Sequence, residues 1–364
     1  MAGGAAAGGA AAGGAAAGGG AVRFGVLAPT SMVARLAVVP AIVQSGSAEL
    51  VAVASRSVGA GSVPVVPPEV PPEVPWLGGY EDVLGDKRVE AVYIPLPNSM
   101  HREWVERAAD AGKHVLCEKP LGTTAADAAA MARRCKERGV VLMEAYMTLF
   151  HPRSRAIGEL CASGSLGELL FGSAAFTGEL SRPDDHRWRP EMGGGALLDV
   201  GIYCLVPLLS AAGVGPFRAG GTAKVASVTA VRRLGGAGVD SSFSGLLSFD
   251  GGATSGCTSA SFQCSFEAPE RQYLEVVGTK AALLAERAFT PSLEDRIVSV
   301  RHLDGSFEEL ESEGGDPYLA MVEHFCEVVR GRAELEWPAS HSVALAGIVD
   351  RLAAAARHCF GPES

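Results

Sequence analysis

The sequence lacks several features that would place it in other classes of protein. No stretch approaches the roughly 18–20 uninterrupted apolar residues of a membrane helix, so no membrane partner is expected. Basic residues are in deficit, 31 against 41 acidic ones, and the net charge of −10 makes electrostatic capture of nucleic acid unexpected. No internal repeat of about 20–50 residues is present, which argues against a solenoid.

The eight cysteines form no Cys-x-x-Cys or Cys/His pattern with zinc-site spacing, so no metal is expected. Most lie in apolar contexts, which is typical of buried thiols in a reducing compartment, and we expect a cytoplasmic location. Residues 1–20 contain only Gly and Ala after Met1. They lack the charged segment and leucine-rich core of a signal peptide, and their composition predicts a flexible tail.

The 364 residues, 48% apolar and 20% charged, are enough for two globular domains. Strand and helix patterns alternate in the first part, which predicts a parallel, doubly wound sheet. Predicted strands cover residues 21–28, 50–55, 91–94, 115–117 and 140–144, and predicted helices cover 34–44, 100–111 and 125–138. Pro40 is expected to interrupt or end the first helix. The Pro- and Val-rich segment 62–75 is expected to be an irregular loop.

Beyond about residue 160 the pattern becomes rich in strands. They are predicted at 169–178, 223–232, 241–249, 254–265, 273–278 and 297–303. Turns such as Asp250-Gly251-Gly252 and Asp304-Gly305 are typical of hairpins and predict an antiparallel sheet. Two helices are predicted at 318–330 and 342–357, with Gly331 ending the first.

The most informative motif is Glu118-Lys119-Pro120, which follows the apolar run 115–117. Such a run is typical of a buried parallel strand, and proline ends the ladder. Ligands of open α/β sheets bind at the carboxyl ends of strands, where Lys119 could transfer a proton if its surroundings lower its pKa. The alternative is an exposed strand end with solvated charges.

A degenerate phosphate-binding turn follows the first predicted strand. Ala28 occupies the expected first glycine position, and Thr30, Ser31 and Met32 follow Pro29. The two hydroxyls and the backbone N–H groups could bind a phosphate at the helix N-terminus. An ordinary Ser/Thr helix cap is the alternative.

Ser55-Arg56-Ser57 ends the second predicted strand, where an acidic residue usually holds the ribose of NAD. Arginine flanked by serines suits a phosphate group, which favours NADP, although NAD remains possible. A solvent-exposed arginine is the alternative reading.

Residues 186–204 form a second constellation. Three glycines at 193–195 allow the backbone to approach a ligand closely or to adopt a positive φ, and a helix is predicted to start near Ala196. Asp199 and Tyr203 would then lie on one helix face, as a polar pair in an apolar segment. Alternatively, Asp199 is only the hydrogen-bond partner that a buried tyrosine needs.

Taken together, these motifs resemble the glucose-fructose oxidoreductase / inositol dehydrogenase / rhizopine catabolism (Gfo/Idh/MocA) family. The resemblance runs from about residue 22 to 357. It rests on G-V-L, A-S-R-S, V-Y-I-P-L-P-N-S-M-H, H-V-L-C-E-K-P-L, E-A-Y-M-T-L-F-H-P and W-R-P-E-M-G-G-G-A-L-L-D-V-G-I-Y, with P-Y-L-A-M-V-E-H-F near the end. It implies a Rossmann-type cofactor domain over residues 21–147. It also implies a substrate and oligomerisation α+β domain on a large, mostly antiparallel open sheet over 148–364, with the last helix packing back on the first domain.

The resemblance also implies roles for individual residues. Lys119 would bind the reacting oxygen and Tyr203 would be the acid/base, as in the aldose and dihydrodiol dehydrogenase branch. Asp199 would orient the substrate or the acid/base group. A nearby Lys119 ammonium is expected to lower the pKa of the Tyr203 phenol. The implied cofactor contacts are Ala28, Thr30, Ser31, Met32, Ser55, Arg56, Pro95, Leu96, Asn98, His101, Glu118, Lys119, Trp188 and Arg189, with Pro120 beside the nicotinamide. The chain departs from the family at Ala28, at Leu149, where relatives often carry Arg, and in segment 62–75.

The first expected function is NADP-dependent hydride transfer from a small sugar, at aldose C1, or from a cyclic trans-diol. A second reading is a relative that retains its cofactor and drives isomerisation or hydrolysis by transient oxidation. The third, a sensor without turnover, fits less well because it would not need a complete proton-transfer set. Apolar positions in 243–249 and 257–262 on the open sheet face predict a homodimer or homotetramer.

Overall fold

Two β-sheets with helices packed on them organise the molecule. The computed structural model describes residues 19–55, 67–215, 217–236, 238–250 and 258–358. The strands are β1 Val22–Leu27, β2 Ala48–Ala54, β3 Trp76–Leu77, β4 Ala91–Ile94, β5 His114–Glu118, β6 Leu142–Ala145, β7 Leu169–Thr177, β8 Lys224–Leu234, β9 Asp240–Asp250, β10 Ser259–Ser265, β11 Arg271–Gly278, β12 Ala281–Glu286, β13 Ile297–His302, β14 Phe307–Glu311 and β15 Ala356–His358. The α-helices are α1 Val39–Gln44, α2 Tyr80–Gly85, α3 His101–Asp110, α4 Ala125–Arg138, α5 Pro152–Ser163, α6 Ile202–Ala211, α7 Pro317–Val329 and α8 Ala339–Ala355.

The first sheet is entirely parallel, in the order β3-β2-β1-β4-β5-β6. Every residue of β4 is buried, as expected for a strand covered on both faces. Gly25 in β1 is required because an added Cβ would collide with Val83 of α2. The predicted doubly wound, Rossmann-type sheet is therefore confirmed.

Within the part of the chain that the structure describes, the second sheet has nine strands in the order β14-β13-β12-β11-β7-β10-β9-β8-β15. Among its described strand pairs only β10–β7 and β15–β8 are parallel, so the predicted mostly antiparallel sheet is confirmed. Helix α6 covers its inner face, and α8 packs on both α4 and β8. The described part of segment 62–75 contains turns and no helix, as predicted.

Several local predictions differ from the structure. Pro40 does not end the 34–44 helix, but the regular helix is interrupted there: a π-helical turn at Ala34–Val38 precedes α1 and places Pro40 in its first turn. A proline is tolerated there, since the first N–H groups of a helix have no intrahelical partner. Helices α2 and α5 and the short strands β3, β12, β14 and β15 were not predicted.

The outer face of the second sheet is less apolar than expected. Phe243 and Phe262 point into the covered core, so these two are not on the outer face, whereas Leu246, also within the predicted range 243–249, is 52% exposed. Phe171 and Leu284 are also exposed. Residues 251–257, which include Cys257, lie outside the described residues.

One helical stretch, Pro190–Ala211, is long and apolar enough to cross a membrane by length and composition. Its most apolar window is 61% buried inside the protein. A buried core helix passes the same criterion, so this stretch is weak support for a membrane span.

Candidate active site

A cleft of about 540 Å³ lies between the carboxyl ends of the first sheet and the inner face of the second. Most of the predicted site residues line it. They are Ala28, Thr30, Ser31, Met32, Pro95, Leu96, Asn98, Glu118, Lys119, Asp199 and Tyr203. Residues more than 170 positions apart in sequence thus meet in one place.

The turn after β1 is built around Ala28, whose φ of 55° lies in the left-handed region that favours glycine. The Ala28 N–H donates to the Ala54 carbonyl at 2.8 Å, and the Ser31 N–H donates to the Ala28 carbonyl at 3.0 Å. The Ser31 hydroxyl accepts from the Ala34 N–H at 3.2 Å, as in the helix-cap alternative. Alanine therefore keeps the backbone shape of a glycine turn, which fits a dinucleotide phosphate.

The end of β2 supplies fewer residues to the cleft than predicted. Ser55 is buried and does not line the cleft. Arg56 lies outside the described residues. The ring of Tyr80, at the start of α2, lines the cleft instead.

Lys119 lies at the centre of the cleft wall and is not a solvated strand end. Its Nζ donates to Asp199 Oδ1 at 2.6 Å and to the Asp199 carbonyl at 2.8 Å. The same ammonium lies 5.0 Å from the centroid of the Tyr203 ring. Its side chain is 13% exposed, so the exposed-charge alternative is wrong.

Asp199 holds two cations together. Arg187 Nε donates to Asp199 Oδ2 at 2.9 Å, and Arg187 also pairs with Asp185 at 3.2 Å. Burial alone would raise the pKa of Asp199, but the charges of Lys119 and Arg187 lower that pKa to about 2. Asp199 is therefore a carboxylate, and its hydrogen bonds go to the cations, with none described to the Tyr203 hydroxyl.

The Tyr203 ring separates the charged group from an aromatic layer. Its ring lies 5.1 Å from the ring of Tyr146 and 5.5 Å from that of Phe176. Its hydroxyl contacts Met147 Sδ at 3.9 Å. Burial, with contributions from Tyr318 and Glu118, raises the pKa of Tyr203 well above its usual value. The expected lowering of this pKa by Lys119 does not occur, since burial dominates and Lys119 is not among the main groups that shift it.

Glu118 and His101 support the strand ends. Glu118 accepts from the Tyr93 hydroxyl at 2.7 Å and from the Lys119 N–H at 3.2 Å, and burial raises its pKa. The ring nitrogens of His101 lie 2.9 Å from the Pro120 carbonyl and 2.8 Å from the Leu96 carbonyl. His101 is completely buried behind the cleft, where it positions these loops. In contrast to the prediction, it does not line the cleft.

Trp188 and Arg189 also differ from the prediction, since neither lines the cleft. The Trp188 indole donates to the Leu180 carbonyl at 3.3 Å and packs against Phe266. Its neighbours Arg187 and His186 line the cleft instead. The 3-10 turn at His186–Trp188 explains the difference, because it directs consecutive side chains to different sides.

The positive φ predicted for the glycines is confirmed at Gly193, while their predicted approach to a ligand stays a prediction. Its φ is 71°, and an added Cβ would lie 2.6 Å from the side chain of Thr123. Its carbonyl accepts from the Asn98 amide at 2.8 Å, which links the two sheets across the cleft.

Sequence reasoning missed Tyr318, which lines the cleft, and Glu144, which lies behind it. Glu144 is buried and accepts from the Leu121 N–H at 2.9 Å, the Trp337 indole at 3.1 Å and the Ser342 hydroxyl at 2.5 Å. Both residues stand in motifs quoted for the family resemblance, but only the fold shows their contacts. Among the described residues no cluster of three or more His, Cys, Asp or Glu could hold a metal ion.

The fold and the cleft together define a dinucleotide-dependent oxidoreductase. Family models agree: residues 22–146 match the oxidoreductase family with an NAD-binding Rossmann fold, and residues 154–284 match the GFO/IDH/MocA C-terminal domain. The chain belongs to the Gfo/Idh/MocA family.

Relatives with known names support this assignment. The chain is 37% identical to a D-xylose 1-dehydrogenase (NADP⁺) of Haloferax volcanii over 84% of this chain and 88% of that protein. It is 35% identical to a dTDP-3,4-didehydro-2,6-dideoxy-α-D-glucose 3-reductase of Saccharopolyspora spinosa, over 87% and 90%. A 3-ketoreductase from Actinomadura kijaniata, solved with NADP and TDP-benzene, superposes with a TM-score of 0.81 at 28% identity over 94% and 100%.

These findings confirm the predicted family, the enzyme class and NADP as cofactor. The protein is an NAD(P)-dependent oxidoreductase of a family that acts on sugar-related substrates. The domain boundaries at residues 20 and 147 and a cytoplasmic location stay predictions.

Proposed function

We propose that the protein oxidises a small sugar at aldose C1, or a cyclic trans-diol, with NADP. One observation carries this proposal: the Lys119 ammonium lies between the Asp199 carboxylate and the Tyr203 ring, in the same cleft as the Ala28 turn. The similarity to a D-xylose 1-dehydrogenase (NADP⁺) supports a small sugar as the substrate.

Lys119 is the group that would bind the reacting hydroxyl. An ammonium has three N–H donors, and two of them are engaged with Asp199. The third can reach a substrate oxygen in the cleft. Because Asp199 is itself fixed by Arg187, the ammonium is held in one position.

Tyr203 would exchange the proton of the substrate hydroxyl. When bound, the nicotinamide supplies the two-electron chemistry at the substrate carbon. The hydroxyl must lose its proton as the carbon is oxidised, and a phenol within reach of Lys119 is suited to accept it once ionised. Substrate and cofactor in the cleft would displace water and strengthen the effect of the lysine charge.

Reduction of a keto sugar is a second candidate. The raised pKa of Tyr203 keeps its phenol protonated at neutral pH, which suits proton donation to a new alkoxide. The side chains of Arg182 and Arg187 also line the cleft and could meet an anionic nucleotide group. The 3-reductase relative acts on a dTDP-linked sugar, in line with such a substrate.

The cofactor preference rests on Arg56. Its flanking serines and the absence of an acidic residue at the end of β2 support binding of the 2′-phosphate of NADP. Thr30, Ser31 and Met32 would meet the diphosphate, and Asn98 and Pro95 the nicotinamide side.

The test is an assay with purified protein, NADP or NADPH, and panels of aldoses, trans-diols and keto sugars, with absorbance of the reduced cofactor as readout. We expect turnover with a member of the first two panels and loss of turnover in Lys119→Met. Turnover only with keto sugars and NADPH would replace the first candidate by the second. Product formation without stoichiometric change in free cofactor would instead indicate the cofactor-retaining reading.

We also propose a homodimer or homotetramer formed through the outer face of the second sheet. Leu246, Phe171 and Leu284 are exposed there. Light scattering at micromolar concentration should return a multiple of the 37.4 kDa chain mass, and Leu246→Arg should lower it. A monomer mass for the parent would exclude this assembly.

A further inference from the structure

The cleft has a second end, which the proposed proton transfer does not use. The helical turn that carries Asp199 packs on β7, β9 and β10. Phe176 of β7 and Thr290 also line the cleft, and the Phe176 ring lies 5.5 Å from that of Tyr203. Thr290 is bonded to Gln272 of β11, the strand on the other side of β7, and Gln272 pairs with Phe176 in the sheet. The cleft wall therefore runs from the charged group, over an aromatic ring, to a threonine.

Gln272 fixes the Thr290 side chain. Its Oε1 accepts from the Thr290 backbone N–H at 3.0 Å, and its Nε2 donates to the Thr290 hydroxyl at 2.7 Å and to Glu270 Oε1 at 3.4 Å. The Thr290 hydroxyl also lies 3.0 Å from Oε1, but that oxygen is paired with the backbone N–H in any case. Since a hydroxyl has one donor and two acceptor sites, Thr290 can turn its hydrogen to a group in the cleft and still accept from Gln272.

Buried groups anchor the loop that carries Thr290. Arg153, which is 3% exposed, donates to the Arg287 carbonyl at 2.6 Å. The buried Thr148 hydroxyl donates to the Phe289 carbonyl at 2.7 Å. A binding group whose supporting residues are already fixed loses little freedom when it meets a ligand. Thr290 is therefore a preorganised hydrogen-bonding group in the cleft wall.

We propose that Thr290 binds a substrate hydroxyl remote from the reacting carbon, while the ring of the substrate lies on Phe176. This role rests on the proposed oxidation and selects between its two substrate classes. A pyranose has an apolar C–H face and hydroxyls around its ring, so one of them reaches Lys119 while another reaches Thr290.

A simple cyclic trans-diol fits this wall less well. Its two hydroxyls are adjacent, so it leaves Thr290 unpaired when one of them is bound at Lys119. A polar group that loses its water and finds no partner in the ligand weakens binding. The substrate class that the wall favours is therefore an aldopyranose.

The test compares two compounds with the same ring and the same reacting hydroxyl. D-Xylose in its pyranose form carries further hydroxyls, and 2-hydroxytetrahydropyran carries none. With NADP, Thr290→Val should lower kcat/KM for D-xylose about tenfold, mainly through KM, as for a lost hydrogen bond. The same variant should oxidise 2-hydroxytetrahydropyran within about twofold of the parent, because that compound has no hydroxyl for Thr290. Thr290→Ser keeps the hydroxyl and should stay within about threefold of the parent for D-xylose.

Three further variants and measurements exclude a purely structural effect. Gln272→Met removes the supporting amide and should lower kcat/KM for D-xylose about threefold, with no further loss in the Thr290→Val background, because the two residues act together. Thr229→Val, at an exposed position of β8, is the matched control and should change neither reaction. Melting curves report the fold of each variant. Equal losses for both compounds in Thr290→Val, or no loss for either, would overturn the proposal.

A binding measurement separates this role from the proposed oxidation. 1,5-Anhydroxylitol keeps the xylose ring and its remote hydroxyls but has no hydroxyl at the reacting carbon. Calorimetric titration of the NADP-saturated full chain should show affinity for this compound lowered about fivefold in Thr290→Val and unchanged in Thr229→Val. If the parent oxidises neither sugar but this difference is present, the oxidation fails and the role of Thr290 stands. If the parent oxidises D-xylose but binds 1,5-anhydroxylitol no better than Thr290→Val does, the role of Thr290 fails.

Discussion

The two sheets contribute different kinds of groups to the cleft. The first sheet supplies backbone turns and strand ends: the Ala28 turn, the loop after β4 and the Glu118-Lys119 pair. The second sheet and its covering helix supply charged and aromatic side chains, namely Asp199, Arg187 and Tyr203. We call the cleft wall built by the first sheet the first side, and the wall built by the second sheet and its covering helix the second side. Lys119 of the first side bonds directly to Asp199 of the second side. We therefore expect changes on the first side to act on cofactor binding, and changes where the sides meet to act on turnover.

The largest expected effect follows from changing the residues where the two sides meet. Tyr203→Phe and Lys119→Met should each lower kcat by about 10²–10⁴, the usual contribution of general acid–base catalysis, and leave NADP affinity nearly unchanged. The double variant should be little worse than either single one, because groups that act together are not additive. Steady-state kinetics and cofactor titration measure both effects. A Tyr203→Phe enzyme with more than half the parent rate would assign Tyr203 to packing alone.

Arg56→Ala tests the first side by itself. We expect the free energy of NADP binding to weaken by about 1.5–3 kcal/mol, as for a lost hydrogen bond to a charged group. The affinity for NAD should not change, since NAD has no 2′-phosphate, and this cofactor is the internal control. Calorimetric titration of both cofactors gives the comparison, and equal parent affinities for NADP and NAD would remove the basis of the prediction.

The charge of Asp199 tests the second side through pH. Its pKa is lowered from 3.8 to about 2, so its ionised form stabilises the folded protein. This contribution, of about 2 kcal/mol, should be complete above about pH 4 and be lost as the pH falls toward 2. Urea unfolding of the parent and of Asp199→Asn at several pH values measures it. The same pH dependence in both proteins would show that Asp199 is not stabilised by its cations.

The smallest expected effect concerns the turn of the first side. Ala28→Gly should raise the free energy of unfolding by about 0.5–1 kcal/mol, because glycine adopts a positive φ without the penalty that alanine incurs. Ala111→Gly is the control, since Ala111 has a φ of −80° and should lose stability on the same change. Chemical denaturation compares the two. Destabilisation in both variants would mean that chain entropy outweighs the strain.

The first side was the more predictable from sequence. Buried parallel strands are short apolar runs, and their ends are fixed by motifs such as Glu118-Lys119-Pro120, so the bounds of β4 and α4 agree with the prediction. The form of the interruption near Pro40 could not be predicted, because a π-helical turn is not visible in the apolar spacing. Strand β14 was missed because it is exposed along its whole length and carries no apolar pattern.

On the second side, some of the residues that line the cleft differ from the predicted ones. The pattern around Asp199 and Tyr203 located the right helix but not the partners of either residue. The π-helical turn at Leu197–Gly201 and the turn at His186–Trp188 decide which side chains face the cleft. Arg187 was therefore overlooked in favour of Trp188 and Arg189. The raised pKa of Tyr203 depends on its burial near Tyr146, Phe176 and Tyr318, which are far apart in the sequence, so no local pattern records it.

The buried Glu144 carboxyl has a consequence for the modularity of the chain. It receives hydrogen bonds from the loop after Lys119-Pro120 and from Ser342, which lies 198 positions later. A fragment cut after the first sheet would expose this carboxyl to water and remove two of its three donors. The two halves of the chain are therefore not interchangeable parts. A foreign second half joined to this first half would need its own equivalents of Trp337 and Ser342 to keep the loop after Lys119 in place.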